Sequence, residues 1–196
     1  MFWLGRRGFY ALALDGQKRP VDTLASNVGH LLWSGIVPAA RAEILVRRLL
    51  GKDMFSGWGI RTMSTRERPY SPLRYHDGTV WPHDTAIVAE GMRRYGFRDE
   101  ASRVAHALLD AARRLDHRLP EVFAGFARDP AEVPVDYPGA MTPQAWAAAA
   151  PLLALRTLLG LDVVDGELRA RPKLPDDLRG LRLRGVPFRG GKRDVP

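Results

Sequence analysis

The chain has 196 residues, enough for a single core, and its hydrophobic fraction of 45% is that of a folded globular protein. It has no cysteine, which excludes disulfides, thiolate nucleophiles and cysteine metal clusters, and no apolar run of the ~18 residues a bilayer span needs. The net charge is +8, but the arginines are spread along the chain and interleaved with acids, as in ERPYSPLR and RDEASR, so no basic stripe marks a nucleic-acid surface.

The opening stretch, MFWLGRRGFYALALDG, places its two arginines after the first apolar residues and lacks a small-residue cleavage site. It is a poor signal peptide, and a cytoplasmic protein is expected. NVGHLLWSG is a short apolar segment that pairs as a helical hairpin with PAARAEILVRRLLG, which has Pro38 at a first turn and a terminal Gly. Residues 51–80 form a long non-periodic stretch rich in Gly, Ser, Pro and aromatics. A second helical pair follows, PHDTAIVAEGMRRYG and RDEASRVAHALLDAARRL, joined at Gly96. A loop over 117–141 holds LPEVFAGF, and TPQAWAAAAPLLALRTLLG closes the helical part with Thr142 as N-cap and Pro143 in the first position. After Gly160 the pattern alternates apolar and charged residues around Gly and Pro turns, which predicts a short β tail over 161–196. The expected fold class is all-α: a body over 1–160 of about three helical hairpins, with that tail attached.

Loops of this length inside a helical domain usually carry function. The segment YHDGTVWPHD gathers Tyr75, His76, Trp81, His83 and Asp84 immediately before a helix. The seven-residue gap between its histidines does not give the one-face geometry of a helical zinc site, so no metal and no other cofactor are expected. Helix capping accounts for Pro82 and Asp84, but not for the tyrosine, tryptophan and first histidine. GWGIRT adds Trp58 and Arg61, and TPQAW adds Gln144 and Trp146. Flat rings beside paired donors and acceptors suit a sugar, whose C–H faces pack on aromatics while its hydroxyls need hydrogen bonds. Glu121, in LPEVFAGF, is either the first-turn acid of a short helix after Pro120 or a carboxylate that deprotonates an attacking water.

Taken in order, SNVGHLLWSGI, SGWGIRTMS, YHDGTVWPHD, LPEVFAGF and MTPQAWAAAAPLLALRTLLG resemble the C-terminal part of the amylo-α-1,6-glucosidase (glycogen debranching enzyme) family. That resemblance implies part of an (α/α)6 toroid of the six-hairpin glycosidases and inverting hydrolysis of α-glucosidic bonds in an α-glucan or oligosaccharide. It places the general base on Glu121, and sugar contacts on Trp58, Arg61, Tyr75, His76, Trp81, His83, Asp84, Gln144 and Trp146. The general acid is expected outside this chain, in the N-terminal half of the toroid, which is thereby an expected partner. The isolated chain is accordingly expected to be inactive. A non-catalytic carbohydrate-binding or scaffold remnant is the alternative; neither nucleic acid nor membrane is expected as a partner.

Overall fold

The computed structural model describes residues 2–128 and 133–195; residues 129–132, within the predicted 117–141 loop, lie outside the described residues. The first element is a hairpin that the sequence pattern does not announce. Strands β1 (Trp3–Leu4) and β2 (Phe9–Tyr10) pair antiparallel, and Gly8 closes their turn at φ +71, where a Cβ would be strained. Helix α1 (Val28–Ser34) ends on Gly35 in the left-handed conformation, the usual helix stop, and α2 (Ala39–Leu49) starts directly after Pro38. Helices α3 (Pro82–Arg94) and α4 (Arg98–Arg114) form the second hairpin, turning at Gly96. Helix α5 (Ala145–Leu159) packs on both of them without a hairpin partner of its own among the described residues.

Helix α3 is the hub. It contacts α1, α4 and α5, and Ala86, Val88, Ala89 and Met92 along it are fully buried. Around them close Leu24, Leu32, Leu45, Leu49, Ile60, Leu108 and Leu158. The crossing of α1 and α3 is unusually close because small residues line it: a Cβ on Gly91 would stand 2.7 Å from the backbone nitrogen of Trp33.

Beyond Gly160 two more hairpins follow. Strands β3 (Asp162–Val164) and β4 (Glu167–Arg169) turn on Asp165 and Gly166, both at positive φ; β5 (Leu183–Phe188) and β6 (Gly191–Val195) turn on Arg189 and Gly190 in the same way. Positive φ at both central residues matches the right-handed twist of the flanking strands.

The all-α expectation is therefore overturned. Five helices share the described residues with three two-stranded antiparallel sheets and several isolated β-bridges, a mixed architecture with a partial helical domain. Strands of two or three residues leave no period-two signal, which is why β1 and β2 are not legible in the sequence. The three-hairpin expectation becomes two hairpins and one further helix. The last helix also starts later than predicted: its N-cap is Gln144, whose side-chain carbonyl accepts from the Ala147 nitrogen at 2.8 Å, not Thr142. Gln144 is extended, so the helical φ/ψ run begins only after it.

A buried charge network ties the tail to the helices. Glu90 of α3 is buried and takes two bonds from Arg93 (2.8 and 2.7 Å) and one from the Thr157 hydroxyl of α5 (2.9 Å). The same guanidinium binds both oxygens of Asp162 in β3 at 2.8 and 2.7 Å. Hydrogen bonds to Glu90, then to Asp162, raise the Arg93 pKa further, and Arg93 in turn lowers that of Asp162. Removing one partner leaves an uncompensated buried charge. Arg93→Met is expected to lower unfolding free energy by about 3–5 kcal/mol, measured by urea denaturation, with Arg93→Met/Glu90→Met recovering much of the loss. A loss under about 1 kcal/mol in the single variant would show that Glu90 finds water or another cation instead.

Candidate active site

The two long loops are not independent of each other. Val80 and Phe123 exchange backbone hydrogen bonds of 2.9 and 3.0 Å, and bridges on either side continue to Arg61 and to Asp136. The Arg61 side chain, 2% exposed, donates from Nε to the Gly125 carbonyl at 2.6 Å and from Nη1 to the Lys52 carbonyl at 3.0 Å. Gly125 permits the contact: a Cβ there would lie 1.7 Å from the Gly78 carbonyl oxygen. One loop is thereby pinned across the other.

That pinning sets Tyr75 beside Glu121, 46 positions away. The Tyr75 hydroxyl donates to Glu121 Oε1 at 2.9 Å. Desolvation first, and this bond second, raise the Tyr75 pKa, so the phenol stays a donor. Its ring meets Trp81 edge-on at 4.8 Å and His76 at 4.6 Å. The Trp81 indole nitrogen donates to the Tyr75 carbonyl at 3.0 Å, fixing the ring plane.

His76, Trp81, His83, Asp84, Gln144 and Trp146 line one cavity of about 350 Å³, together with Ser26 and Thr62. Trp146, 62% exposed, packs edge-on against His83 at 4.6 Å. Gln144 uses its side-chain carbonyl as the α5 cap, which leaves its amide group as a donor. Asp84 lies in the first turn of α3, which Pro82 begins, and is 8% exposed. Its Oδ1 accepts from His30 Nε2 of α1 at 2.6 Å, whereas Oδ2 is buried without a partner. The His83 Nδ1 is likewise buried and unpartnered, and burial lowers the His83 pKa, keeping that ring neutral near pH 7.

Three of the predicted contacts lie outside this lining: Tyr75, whose ring packs against His76 and Trp81, and Trp58 and Arg61, which lie in the interior. Trp58 is 2% exposed and its ring face is covered by the Arg128 guanidinium at 4.1 Å, so it offers no platform to a sugar. Arg61 is the loop clamp described above. Both belong to the interior because residues 57–61 of GWGIRT enter the bridge layer, and only its last residue, Thr62, reaches the cavity wall. Sequence reasoning in turn passes over His30, Ser26 and Thr62. A lone histidine in the otherwise apolar run VGHLLW is the one available signal, but its partner lies 54 residues further on. Among the described residues no cluster of three His, Cys, Asp or Glu side chains is arranged to hold a metal, and no helix is long and apolar enough to cross a membrane.

Known proteins resemble this chain in sequence and in fold. The profile of the mannosylglycerate hydrolase MGH1-like glycoside hydrolase domain matches residues 1–130. Mannosylglycerate hydrolase MGH1 of Selaginella moellendorffii is 36% identical over 93 residues, 46% of this chain and 18% of that protein. The GH63 mannosylglycerate hydrolase of Thermus thermophilus, solved with Tris and D-glycerate, shares the fold at TM-score 0.62 and 23% identity, over 79% of this chain and 36% of its own. A sialidase structure shares it at TM-score 0.74 and 12% identity, over 96% of this chain and 18% of its own. The chain thus spans well under half the length of these relatives. They support the glycoside hydrolase part of the resemblance and not its debranching part.

The His30–Asp84 bond makes stability depend on pH. It raises the His30 pKa above 6.5, so its stabilisation is complete below 6.5 and is lost as pH climbs through the raised value. Urea denaturation at pH 6 and pH 8.5 is expected to show a larger drop for the wild type than for His30→Gln. Equal drops would mean that the bond carries no charge in the folded state.

Proposed function

This chain belongs to the family of mannosylglycerate hydrolase MGH1-like glycoside hydrolase domains, and we propose that it supplies the base-bearing wall of an inverting glycosidase pocket. The observation that carries this reading is the Tyr75–Glu121 hydrogen bond, whose tyrosine ring packs against His76 and Trp81 of the aromatic cavity. With Oε1 held by the phenol, Glu121 has its second oxygen for a water. That carboxylate takes a proton from the water as its oxygen attacks the anomeric carbon, while an acid on the opposite side protonates the departing oxygen. The general acid belongs to the part of the relatives that this chain does not span.

A cavity of about 350 Å³ is at the lower end of ligand-site volumes and suits one sugar ring. Trp81 and Trp146 offer apolar surface, and Asp84, Gln144, Ser26 and Thr62 offer hydrogen-bonding groups. The relatives' names point to mannosylglycerate as the first substrate to try. An α-1,6-linked glucoside, suggested by the motif resemblance, is the second.

The isolated chain is expected to release no sugar from either compound, because inversion requires both carboxyls, ~6.5–9.5 Å apart. Steady turnover by it would instead make Asp84 the acid. In a chimera joining this chain to the N-terminal remainder of the Thermus enzyme, Glu121→Gln should lower turnover by roughly 10²–10⁴-fold and change sugar affinity little. Unchanged turnover would remove Glu121 from the chemistry, and equal loss of binding would make it an anchor for its loop.

A further inference from the structure

Asp84 is more than nine-tenths buried and lies in the cavity wall, and its carboxylate has one oxygen engaged and the other without a partner. A buried acceptor without a donor is costly, and such groups are rare unless something else completes them. The engaged oxygen is not used to cap its own helix. It is drawn 54 residues back along the sequence to His30, on the neighbouring helix.

We propose that His30 is a positioning residue: by fixing Asp84 from α1, it presents Asp84 Oδ2 as the acceptor for a hydroxyl of the sugar in the cavity. This rests on the sugar-site reading above and adds to it a residue outside the loops. A carboxylate held at one oxygen keeps a single orientation, and a hydroxyl bonded to a charged acceptor is worth roughly twice a neutral pair. A ligand hydroxyl would satisfy the orphaned oxygen, so the orientation has an energetic consequence when a ligand arrives.

The surroundings allow this pairing to respond to pH. His30 reaches the carboxylate from α1; from α3 the adjacent His83 senses both His30 and Asp84; from the 117–141 loop Glu121 acts on His83; and His76 lines the same cavity. Burial lowers the His83 pKa and the Asp84 bond raises that of His30, so of the two rings His30 is the more readily protonated beside Asp84. As pH rises through the elevated His30 value the bond becomes a neutral–charged one, and the hold on Asp84 weakens.

The test is titration of the purified 196-residue chain with D-mannose, read by the fluorescence of its tryptophans between pH 5.5 and 9. The wild type is expected to show saturable quenching, with affinity falling several-fold as His30 loses its proton. His30→Ala should bind about tenfold more weakly at pH 6. His30→Gln, which keeps an N–H donor without the charge, should recover most of that loss and show a flat profile. Thermal melts establish that each variant is folded. Wild-type binding that survives in His30→Ala within twofold, or a pH profile that persists in His30→Gln, overturns the positioning role and leaves the sugar site standing. No saturable quenching in the wild type at any pH overturns both.

Discussion

The candidate site depends first on one backbone pairing, Val80 with Phe123. Neither loop contains enough regular structure to hold itself. Two hydrogen bonds between them, the Arg61 clamp below and the Gly78–Gly125 contact beside them convert two long irregular segments into one layer. Because Tyr75 and Trp81 lie just before and after this crossing on one strand, and Glu121 lies just before it on the other, their meeting follows from the crossing itself. Loosening it would part Tyr75 from Glu121, the carboxylate proposed as the base.

The helices supply the second condition. Asp84 is fixed by α3, which is the most enclosed element, and α3 in turn is anchored by the Glu90–Arg93–Asp162 network at its far end. Small residues where α1 crosses α3 bring His30 within reach of Asp84. A rigid helix therefore presents the carboxylate, while the pinned loops present the tyrosine and Glu121. The cavity lies where these two supports adjoin. Its lining carries rings, amides and hydroxyls, with the Asp84 charge matched from behind by a histidine.

The sequence by itself determined much of the secondary structure. Pro38 and Pro82 at helix starts, Gly35 and Gly160 at helix ends, and Asp165–Gly166 at a hairpin turn are local signals, legible because backbone stereochemistry is local. The ring-rich segment YHDGTVWPHD is also recognisable as unlike ordinary capping, and LPEVFAGF stands out because its acid lacks a helical charged face. Tertiary structure decided the rest. Trp58 and Arg61 read like cavity residues by composition, yet they fill and clamp the layer beneath it, because which face of an irregular loop turns inward is set by what packs on it. The N-terminal hairpin is invisible in the sequence since two-residue strands carry no periodicity. His30 finds its role only when α1 crosses α3, for a hydrogen bond spanning 54 residues is encoded by packing and not by spacing.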